Sequence, residues 1–410
     1  MTYLRTVNLD PAIPQDAFSR VMVSSPEYVF DSSFEYSLQP LIWEPVTNGT
    51  GAAIAHEATD RSALMAFAST ETGGKAYLQT YEYFRYQPGR SHLALITGAM
   101  LEAVADCTKF YGYGDDDDGV FFELAGTTAQ WTVRSSTAAG DETVTQSNWN
   151  IDTLDGSGDA GNPSGMQLDP LVTNIIFIQA QWLGVGRVVV GFDLGGVLVP
   201  VHAFNHANLA LEVPYTRSFN LPIRAGMTCT GTVSTTMRVI CASVISEGGQ
   251  ADVGGYGHTT VLANTAGNNT RAYLGSIRPK STFNSIANRI PIRLEGLDII
   301  VTGNQPIFWE LVIGDTLTSP TWSDVNTGYS ATEKDTTATA ALTPAVVLAS
   351  GYVVSGASAK GQVSRLLANR YPLTLNAAGA NRNAGTLSLY ATGIGGTSAM
   401  RAALSWREIR

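Results

Sequence analysis

The most regular hydrophobic pattern in the chain lies within residues 182–224. Apolar side chains recur at every second position in Val188–Phe192, which is the two-residue period of a half-buried β-strand. Gly195 and Gly196 supply the positive-φ positions that a tight hairpin turn needs, and alternation resumes over Val197–Phe204. The pattern predicts a β-hairpin whose neighbours must bury one of its faces.

Strand-like segments of ordinary length recur along the first 250 residues, separated by Gly, Asn and Asp. They are Ala76–Tyr86, Leu93–Thr97, Val120–Ala125, Gln130–Ser135 and Asn174–Gln181. Helix signals are few. This spacing is typical of an antiparallel β-sandwich of the jelly-roll or lectin-like kind, so the predicted fold class is all-β.

A change in composition after Gly249 indicates a second all-β domain. Arg289–Thr302 alternates strongly and precedes Pro306–Gly314, which predicts a second hairpin. Thr386–Thr392 and Ser398–Arg407 predict a third hairpin. We therefore divide the chain into an extended N-terminal arm at 1–15, a sandwich domain at 16–250 and a C-terminal all-β domain at 251–410.

Bulk composition restricts the class of protein. The 410 residues are 44% hydrophobic and only 15% charged, with a net charge of −10. This favours packed globular structure, and the acidic balance argues against nucleic-acid binding because phosphates need a basic surplus. We expect no leader peptide and no membrane insertion, since no apolar run approaches the ~18 residues of a spanning helix. Cys107, Cys229 and Cys241 are expected to be buried thiols made in a reducing cytoplasm.

A resemblance to a known family rests on several blocks that follow one another in a fixed order. The first is DAFSRVMVSSPEYVFDS at 16–32, where Ser19 stands in place of the family's usual Gly. The others are YFRYQPGRS at 83–91, the segment 149–169 with an apparent insertion near 159–163, QWLGVGRV at 181–188, FNHAN at 204–208, VPY at 213–215, NLPIR at 220–224 and VISEGG at 244–249. Over 16–250, the chain resembles a family of tailed-bacteriophage virion structural proteins.

The resemblance implies a structural component of the virion, made in the host bacterial cytoplasm. Such a protein is expected to assemble as a symmetric oligomer with other virion proteins, in the tail, baseplate, a fibre or as a capsid decoration. Its partners would be further copies of itself and other virion proteins. An alternative function is a glycan-binding receptor or fibre protein at the tail tip or head, with a host surface glycan as partner.

Two acidic segments are candidate Ca²⁺ sites, because carboxylate oxygens are the ligands that this ion prefers. One contains Asp115, Asp116, Asp117 and Asp118, and the other contains Asp152 and Asp155. Neither has the spacing of an EF-hand, and a solvated loop tip is the alternative for each. Apart from Ca²⁺, no cofactor is expected.

Two histidines have a spacing that a metal site can use. His202 and His206 lie four residues apart, with Asp193 as the third candidate ligand. The alternative, which we favour, is that both histidines fix a loop around neighbouring asparagines.

Tyr111 and Tyr113 are candidate glycan-binding residues, because glycines and aspartates around them predict an exposed loop. The alternative is that they pack over a sheet. Glu123 and Asp193 are one carboxylate pair that a glycoside hydrolase would need, at a separation that sequence does not define. No nucleophile elbow or phosphate-binding loop occurs in a convincing context. We therefore expect no enzymatic activity and rank a polysaccharide-degrading enzyme last.

Overall fold

The computed structural model describes Ala17 and residues 25–49, 51–68, 72–209, 212–248, 255–339, 346–355, 358–361, 372–382 and 385–410. The predicted arm at 1–15 and most of the DAFSRVMVS block lie outside these residues. The chain divides into two compact units. The first comprises Met1–Thr80 and Phe84–Ala251, and the second comprises Tyr81–Tyr83 and Asp252–Arg410.

The first unit contains fifteen strands in its described part and one short 3₁₀ helix at Gln146–Asn148. The strands are β1 (Pro26–Ser33), β2 (Trp43–Asn48), β3 (Ala52–Glu57), β4 (Ser62–Phe67), β5 (Thr72–Thr80), β6 (His92–Ala99), β7 (Cys107–Gly114), β8 (Gly119–Ala125), β9 (Thr128–Arg134), β10 (Glu142–Thr145), β11 (Thr173–Ala180), β12 (Val188–Leu194), β13 (Val197–Phe204), β14 (Ile223–Thr232) and β15 (Thr235–Glu247).

These strands form two antiparallel sheets that pack face to face. The eight-stranded sheet has the order β13-β12-β11-β6-β15-β4-β3, and β1 also pairs with β15. The seven-stranded sheet has the order β10-β9-β8-β7-β14-β5-β2. Aromatic side chains join them: Phe122 and Trp131 of the second sheet contact Phe192 of the first, at ring-centroid distances of 5.0 and 5.8 Å. A continuous apolar core therefore lies between the sheets.

The hairpin predicted at 188–204 is confirmed. β12 and β13 pair antiparallel, with Leu194 opposite Val197 and a bulge next to Val190. Gly195 and Gly196 both have positive φ, 67° and 88°, as the tight turn requires.

The prediction of unpaired, buried thiols is wrong for two of the three cysteines. Cys107 of β7 and Cys229 of β14 lie directly opposite each other in the sheet and form a disulfide, with Cα atoms 4.1 Å apart. The two residues are 122 positions apart in sequence, so spacing gives no sign that their strands are neighbours. Cys241 is a free thiol.

The second unit contains twelve strands in its described part. They are β16 (Gly255–Ala266), β17 (Arg271–Pro279), β18 (Thr282–Phe283), β19 (Ile286–Ala287), β20 (Ile292–Val301), β21 (Ile307–Ile313), β22 (Ser323–Asp324), β23 (Thr332–Asp335), β24 (Val346–Val353), β25 (Ser358–Gly361), β26 (Leu387–Gly393) and β27 (Ser398–Ile409). A four-stranded sheet has the order β16-β27-β20-β25, and a six-stranded sheet has the order β22-β23-β17-β26-β21-β24. The predicted fold class, an all-β sandwich followed by further all-β structure, is confirmed.

The second and third predicted hairpins are wrong in their pairing. β20 and β21 form as strands, but β20 pairs with β27 and β21 pairs with β26. Likewise β26 and β27 lie in different sheets. The turns at 303–306 and 394–397 therefore carry the chain from one sheet to the other instead of reversing it within one sheet.

A buried polar network fixes the segment that follows β21 onto the six-stranded sheet. Asp335 accepts hydrogen bonds from the Tyr273 hydroxyl (2.7 Å) and from the backbone N–H groups of Thr321 (2.7 Å) and Ala338 (2.9 Å). Burial alone would raise the pKa of the Asp335 carboxyl, but the hydrogen bonds from Thr337, Ala338 and Tyr273 outweigh it, so the pKa lies below its usual value. The ionised carboxylate is the form that the network stabilises.

Replacing Asp335 with asparagine should therefore destabilise the second unit by about 1–2 kcal/mol, because charge-assisted hydrogen bonds become neutral ones. Chemical denaturation of the full chain at pH 7 measures this loss. The difference between native protein and variant should shrink as pH falls, since a carboxyl whose folded pKa is lowered loses its stabilising effect through protonation. A pH-independent difference would contradict this account.

Candidate functional site

The outer face of the seven-stranded sheet, which points away from the sandwich core, carries polar and aromatic side chains that pack against one another. Side chains alternate between the two faces of a strand, and Leu78, Ala225, Tyr111, Phe122 and Trp131 point into the sandwich core. The residues between them therefore point outward.

Two rows of opposed residues cross this outer face. One row consists of Val46, Tyr77, Gly226, Phe110, Glu123, Gln130 and Thr145, and the next consists of Glu44, Gln79, Arg224, Gly112, Phe121, Thr132 and Thr143. Lys75 precedes the first row on β5, and Arg134 follows the second on β9. We call these two rows, with Lys75 and Arg134, the polar face.

Glycines on β14 and β7 make room for the rings of the polar face. A Cβ atom at Gly226 would lie 2.2 Å from the Tyr77 Cβ, and one at Gly112 would lie 2.6 Å from Cδ1 of Phe121 and 2.2 Å from the Val120 carbonyl oxygen. No atoms approach so closely without displacement. Gly226 therefore lets β14 approach β5 closely beside Tyr77, and Gly112 makes room for the Phe121 ring.

Replacing Gly226 with alanine should destabilise the first unit by about 2 kcal/mol, because the added methyl group forces Tyr77 away from its position. Thermal or chemical denaturation measures this loss. Gly257→Ala is the matched control, since a Cβ there meets no atom within 4 Å and should change stability little. Equal effects of the two substitutions would contradict the close packing at Gly226.

Glu123 is held at one end of the polar face by three side chains of β9. Arg134 donates to its Oε1 (2.9 Å), and Gln130 and Thr132 donate to its Oε2 (2.9 and 2.8 Å). The Arg134 guanidinium also lies over the rings of Phe121 (4.0 Å) and Phe110 (5.2 Å). These contacts present a guanidinium, an amide and hydroxyl groups in fixed positions above a hydrophobic floor.

Arg224 forms a second group on the same face. Its Nε donates to Gln79 (2.8 Å), its guanidinium lies 4.3 Å above the Tyr77 ring, and it pairs with Asp116. Burial raises the pKa of the Tyr77 hydroxyl, while Arg224 lowers it by a smaller amount. Tyr77 is therefore a neutral hydrogen-bonding group at ordinary pH.

The four aspartates proposed as one Ca²⁺ site lie in the turn between β7 and β8, but their carboxylates point to arginines or to the backbone. Asp117 and Asp118 pair with Arg217 (2.5 and 3.0 Å), and Asp116 pairs with Arg224. Asp115 Oδ1 accepts the backbone N–H groups of Asp117 and Asp118 (2.9 and 3.0 Å). The cations that neutralise this turn are side chains of the chain itself.

The second proposed Ca²⁺ segment is also organised by its own backbone. Asp152 is buried and accepts hydrogen bonds from Leu154 N (2.9 Å), Asn162 Nδ2 (2.8 Å) and Ser164 N (3.0 Å). Asp155 accepts the backbone N–H of Ser157 (2.9 Å). Across the residues that the structure describes, no three His, Cys, Asp or Glu side chains converge as metal ligands.

The two histidines fix separate parts of the first unit. His202 Nδ1 accepts the backbone N–H of Asn150 (3.1 Å). His206 stacks on Tyr215 with ring centroids 4.0 Å apart, and its Nε2 lies 3.2 Å from Glu142. Asp193 accepts the backbone N–H of Gly196 in the hairpin (2.8 Å). It lies on β12 of the eight-stranded sheet, whereas Glu123 lies on β8 of the seven-stranded sheet. The structure brings together neither the metal set nor the carboxylate pair.

The prediction that Tyr111 and Tyr113 occupy an exposed loop is wrong. Both belong to β7 and are fully buried in the core between the sheets. Tyr113 packs edge-on against Phe219 (5.4 Å), and its hydroxyl lies 3.2 Å from Nδ1 of His92. The adjacent glycines provide room within the sheet instead of marking a loop.

Sequence reasoning missed the polar face as a unit, although part of its signal is visible. Polar residues occupy every second position of β9 and alternate with apolar ones: Gln130, Thr132 and Arg134 are polar, and Ala129, Trp131 and Val133 are apolar. That alternation indicates one polar face. Which strands extend it cannot be read from sequence, because the pairing of β14 with β5 and β7 joins residues more than 100 positions apart.

No family model and no curated protein matches the chain. Solved structures of similar fold include a putative β-glucanase from Mycobacterium abscessus (13% identity, 53% of this chain and 100% of that chain, TM-score 0.36). They also include an endo-β-1,4-glucuronan lyase from Trichoderma reesei (11%, 53% and 95%, 0.31) and a carbohydrate esterase from the Shiga toxin-encoding bacteriophage phi24B (8%, 54% and 99%, 0.29).

These neighbours correct one prediction. The expectation of a protein without enzymatic activity is contradicted by structures that are named as a glucanase, a lyase and an esterase, and it is not kept. At these identities and TM-scores the similarity concerns the strand arrangement and assigns no substrate or reaction to this chain. Among the described residues, no helix is long and apolar enough to cross a membrane.

Proposed function

We propose that the polar face binds a polysaccharide. The observation that carries the proposal is that half-buried Lys75, Gln130 and Arg134 reach solvent from one sheet face. Buried groups beneath them fix their positions: Glu123 holds Gln130 and Arg134, and the Tyr77 ring lies under Lys75. Sugars offer many hydroxyl groups in fixed geometry, and prepositioned donors and acceptors on rigid strands bind them with little loss of side-chain entropy.

The polar face crosses all seven strands of its sheet, and its five central strands alone are wide enough to meet several sugar residues. Strands in a sheet lie about 4.8 Å apart, and the outward residues of β5, β14, β7, β8 and β9 therefore extend over roughly 19 Å. Lys75 and Gln130 are half-buried residues on β5 and β9, at the two ends of this span. A ligand that covers the face would contact both.

A glycan array with the full chain, followed by calorimetry on any glycan that binds, tests the proposal. Lys75→Ala/Gln130→Ala should weaken binding about tenfold, as expected for the loss of about 1.4 kcal/mol from two hydrogen-bonding groups. The matched control is Lys334→Ala/Gln305→Ala in the second unit, where both residues are also half-buried. Failure to bind any glycan, or equal affinity of the two double variants, would contradict the proposal.

The same glycans can be assayed for new reducing ends, unsaturated products or released acyl groups. Turnover that disappears with Lys75→Ala/Gln130→Ala, but not with the control pair, would add a catalytic role to the polar face. Binding without turnover would restrict it to recognition.

We also propose that the chain is a component of a tailed-bacteriophage particle, assembling with further copies of itself and with other virion proteins. The blocks at 83–91, 181–188, 204–208 and 220–224 support this, because several motifs in one order are more specific than any single motif. Quantitative mass spectrometry of purified particles and light scattering of the isolated protein test the proposal. A strict monomer that is absent from particles would overturn it.

A further inference from the structure

An exposed aspartate, Asp116, forms an ion pair with a buried arginine, Arg224, at the centre of the polar face. The side chain of Asp116 is 63% exposed, whereas that of Arg224 is only 2% exposed, and the two form an ion pair. The guanidinium is fixed from the other sides by Gln79 and by the Tyr77 ring. The position opposite its Nη1 is therefore the place where a carboxylate from solvent could meet a prearranged cation.

Three cations act on this position. Partial burial raises the pKa of the Asp116 carboxyl, but attraction to Arg224, Lys75 and Arg134 outweighs it, and the pKa lies below its usual value. The net effect of the polar face at the Asp116 carboxylate is thus that of a positive potential, supplied by side chains from β14, β5 and β9.

The turn that carries Asp116 is held by other residues. Asp118 is buried and accepts hydrogen bonds from Ser136 N (3.1 Å) and Arg217 Nε (3.0 Å), and Asp115 caps the backbone of the turn. Within the described part of the chain, Asp116 contributes no hydrogen bond to this framework. Its side chain can leave Arg224 by rotation about its own bonds while the turn keeps its conformation.

We propose that Arg224 forms a carboxylate-binding subsite, which the Asp116 side chain occupies when no ligand is bound. The polysaccharide bound by the polar face is then acidic, and one of its uronate carboxylates displaces Asp116 from Arg224. This inference rests on the proposed function and specifies its ligand. A planar guanidinium prearranged by two contacts suits a carboxylate better than a hydroxyl group. The exposed aspartate keeps the buried charge paired when no ligand is bound.

The test compares uronic-acid oligosaccharides with their carboxyl-reduced, neutral forms by calorimetry on the full chain. Asp116→Asn keeps an oxygen acceptor but removes the competing charge, so it should bind the acidic oligosaccharides about tenfold more tightly, which corresponds to about 1.4 kcal/mol. The neutral forms should show no such gain. Asp117→Asn is the matched control: it alters the neighbouring carboxylate, which pairs with Arg217 instead, and should leave affinity unchanged.

The outcomes separate this inference from the proposed function. Tighter binding of the acidic oligosaccharides by Asp116→Asn alone, weakening with added salt, supports both. Equal binding of acidic and neutral forms, or unchanged or weaker binding of the acidic forms by Asp116→Asn, overturns the subsite but leaves a glycan-binding face. Absence of binding to every glycan, in native protein and variants, overturns both.

Discussion

Lys109→Met is expected to destabilise the first unit by about 4 kcal/mol, a large part of the stability of an ordinary domain. The Lys109 ammonium is buried and donates to the carbonyl oxygens of Met100, Glu102 and Thr236, each at 2.7 Å. Burial lowers its pKa to about 8, against a smaller opposing effect of Glu102, so the charged form predominates at pH 7. Methionine fills the space but leaves three carbonyls without this donor.

Chemical denaturation at pH 7 measures the loss. Lys75→Met is the matched control, because the same substitution on the polar face removes a half-buried lysine and should change stability by no more than about 0.5 kcal/mol. If Lys109→Met proves as stable as the native chain, the ammonium is not the link between β7 and these backbone segments.

The second large effect is a loss of stability in weak acid that originates at His92. Burial lowers the pKa of this imidazole from 6.5 to about 4. Between these two values the unfolded chain binds a proton that the folded chain does not, so stability is complete above about pH 6.5 and declines as pH falls toward 4. The full decline amounts to about 3.5 kcal/mol, at about 1.4 kcal/mol per pH unit over the roughly 2.5 pH units between 6.5 and 4.

Unfolding free energies at pH 7 and pH 4.5 measure this slope. His92→Gln removes the titrating group, so the variant should lose about 2.5 kcal/mol less than the native chain over that interval, which stops short of the folded pKa. Ser91→Ala is the control, since this neighbouring buried residue carries no group that titrates between pH 4.5 and 7 and should leave the slope unchanged. Parallel pH profiles for native protein and His92→Gln would refute the assignment.

The local pattern of apolar and polar residues was sufficient to predict the strands and one hairpin. Alternation in Val188–Phe192 and the pair Gly195-Gly196 are signals within a few residues of each other, and β12 and β13 pair as they predict. The same reasoning failed at Gly303 and Gly393, because a turn between two alternating segments does not reveal whether the next strand stays in the sheet. Whether β20 pairs with β21 or with β27 depends on packing between distant segments.

Prediction of the candidate site from sequence was limited for the same reason. Tyr111 and Tyr113 lie in a segment rich in Gly and Asp, which resembles a loop, yet a neighbouring glycine lets a ring cross the sheet. The sequence predicts Asp115–Asp118 as a Ca²⁺ site or a solvated loop tip, but their partners Arg217 and Arg224 are about 100 residues away. A site whose residues come from strands that are distant in sequence can be identified only when the pairing and register of those strands are known.

The disulfide between Cys107 and Cys229 makes the intervening chain a closed covalent ring that includes β8 to β13. A protease that cuts once in an exposed connection within this ring, such as 136–141, opens the ring but releases no fragment. The nicked protein should migrate as one species in a non-reducing denaturing gel and as two after reduction. A protein cut in this way keeps every part of the polar face covalently attached.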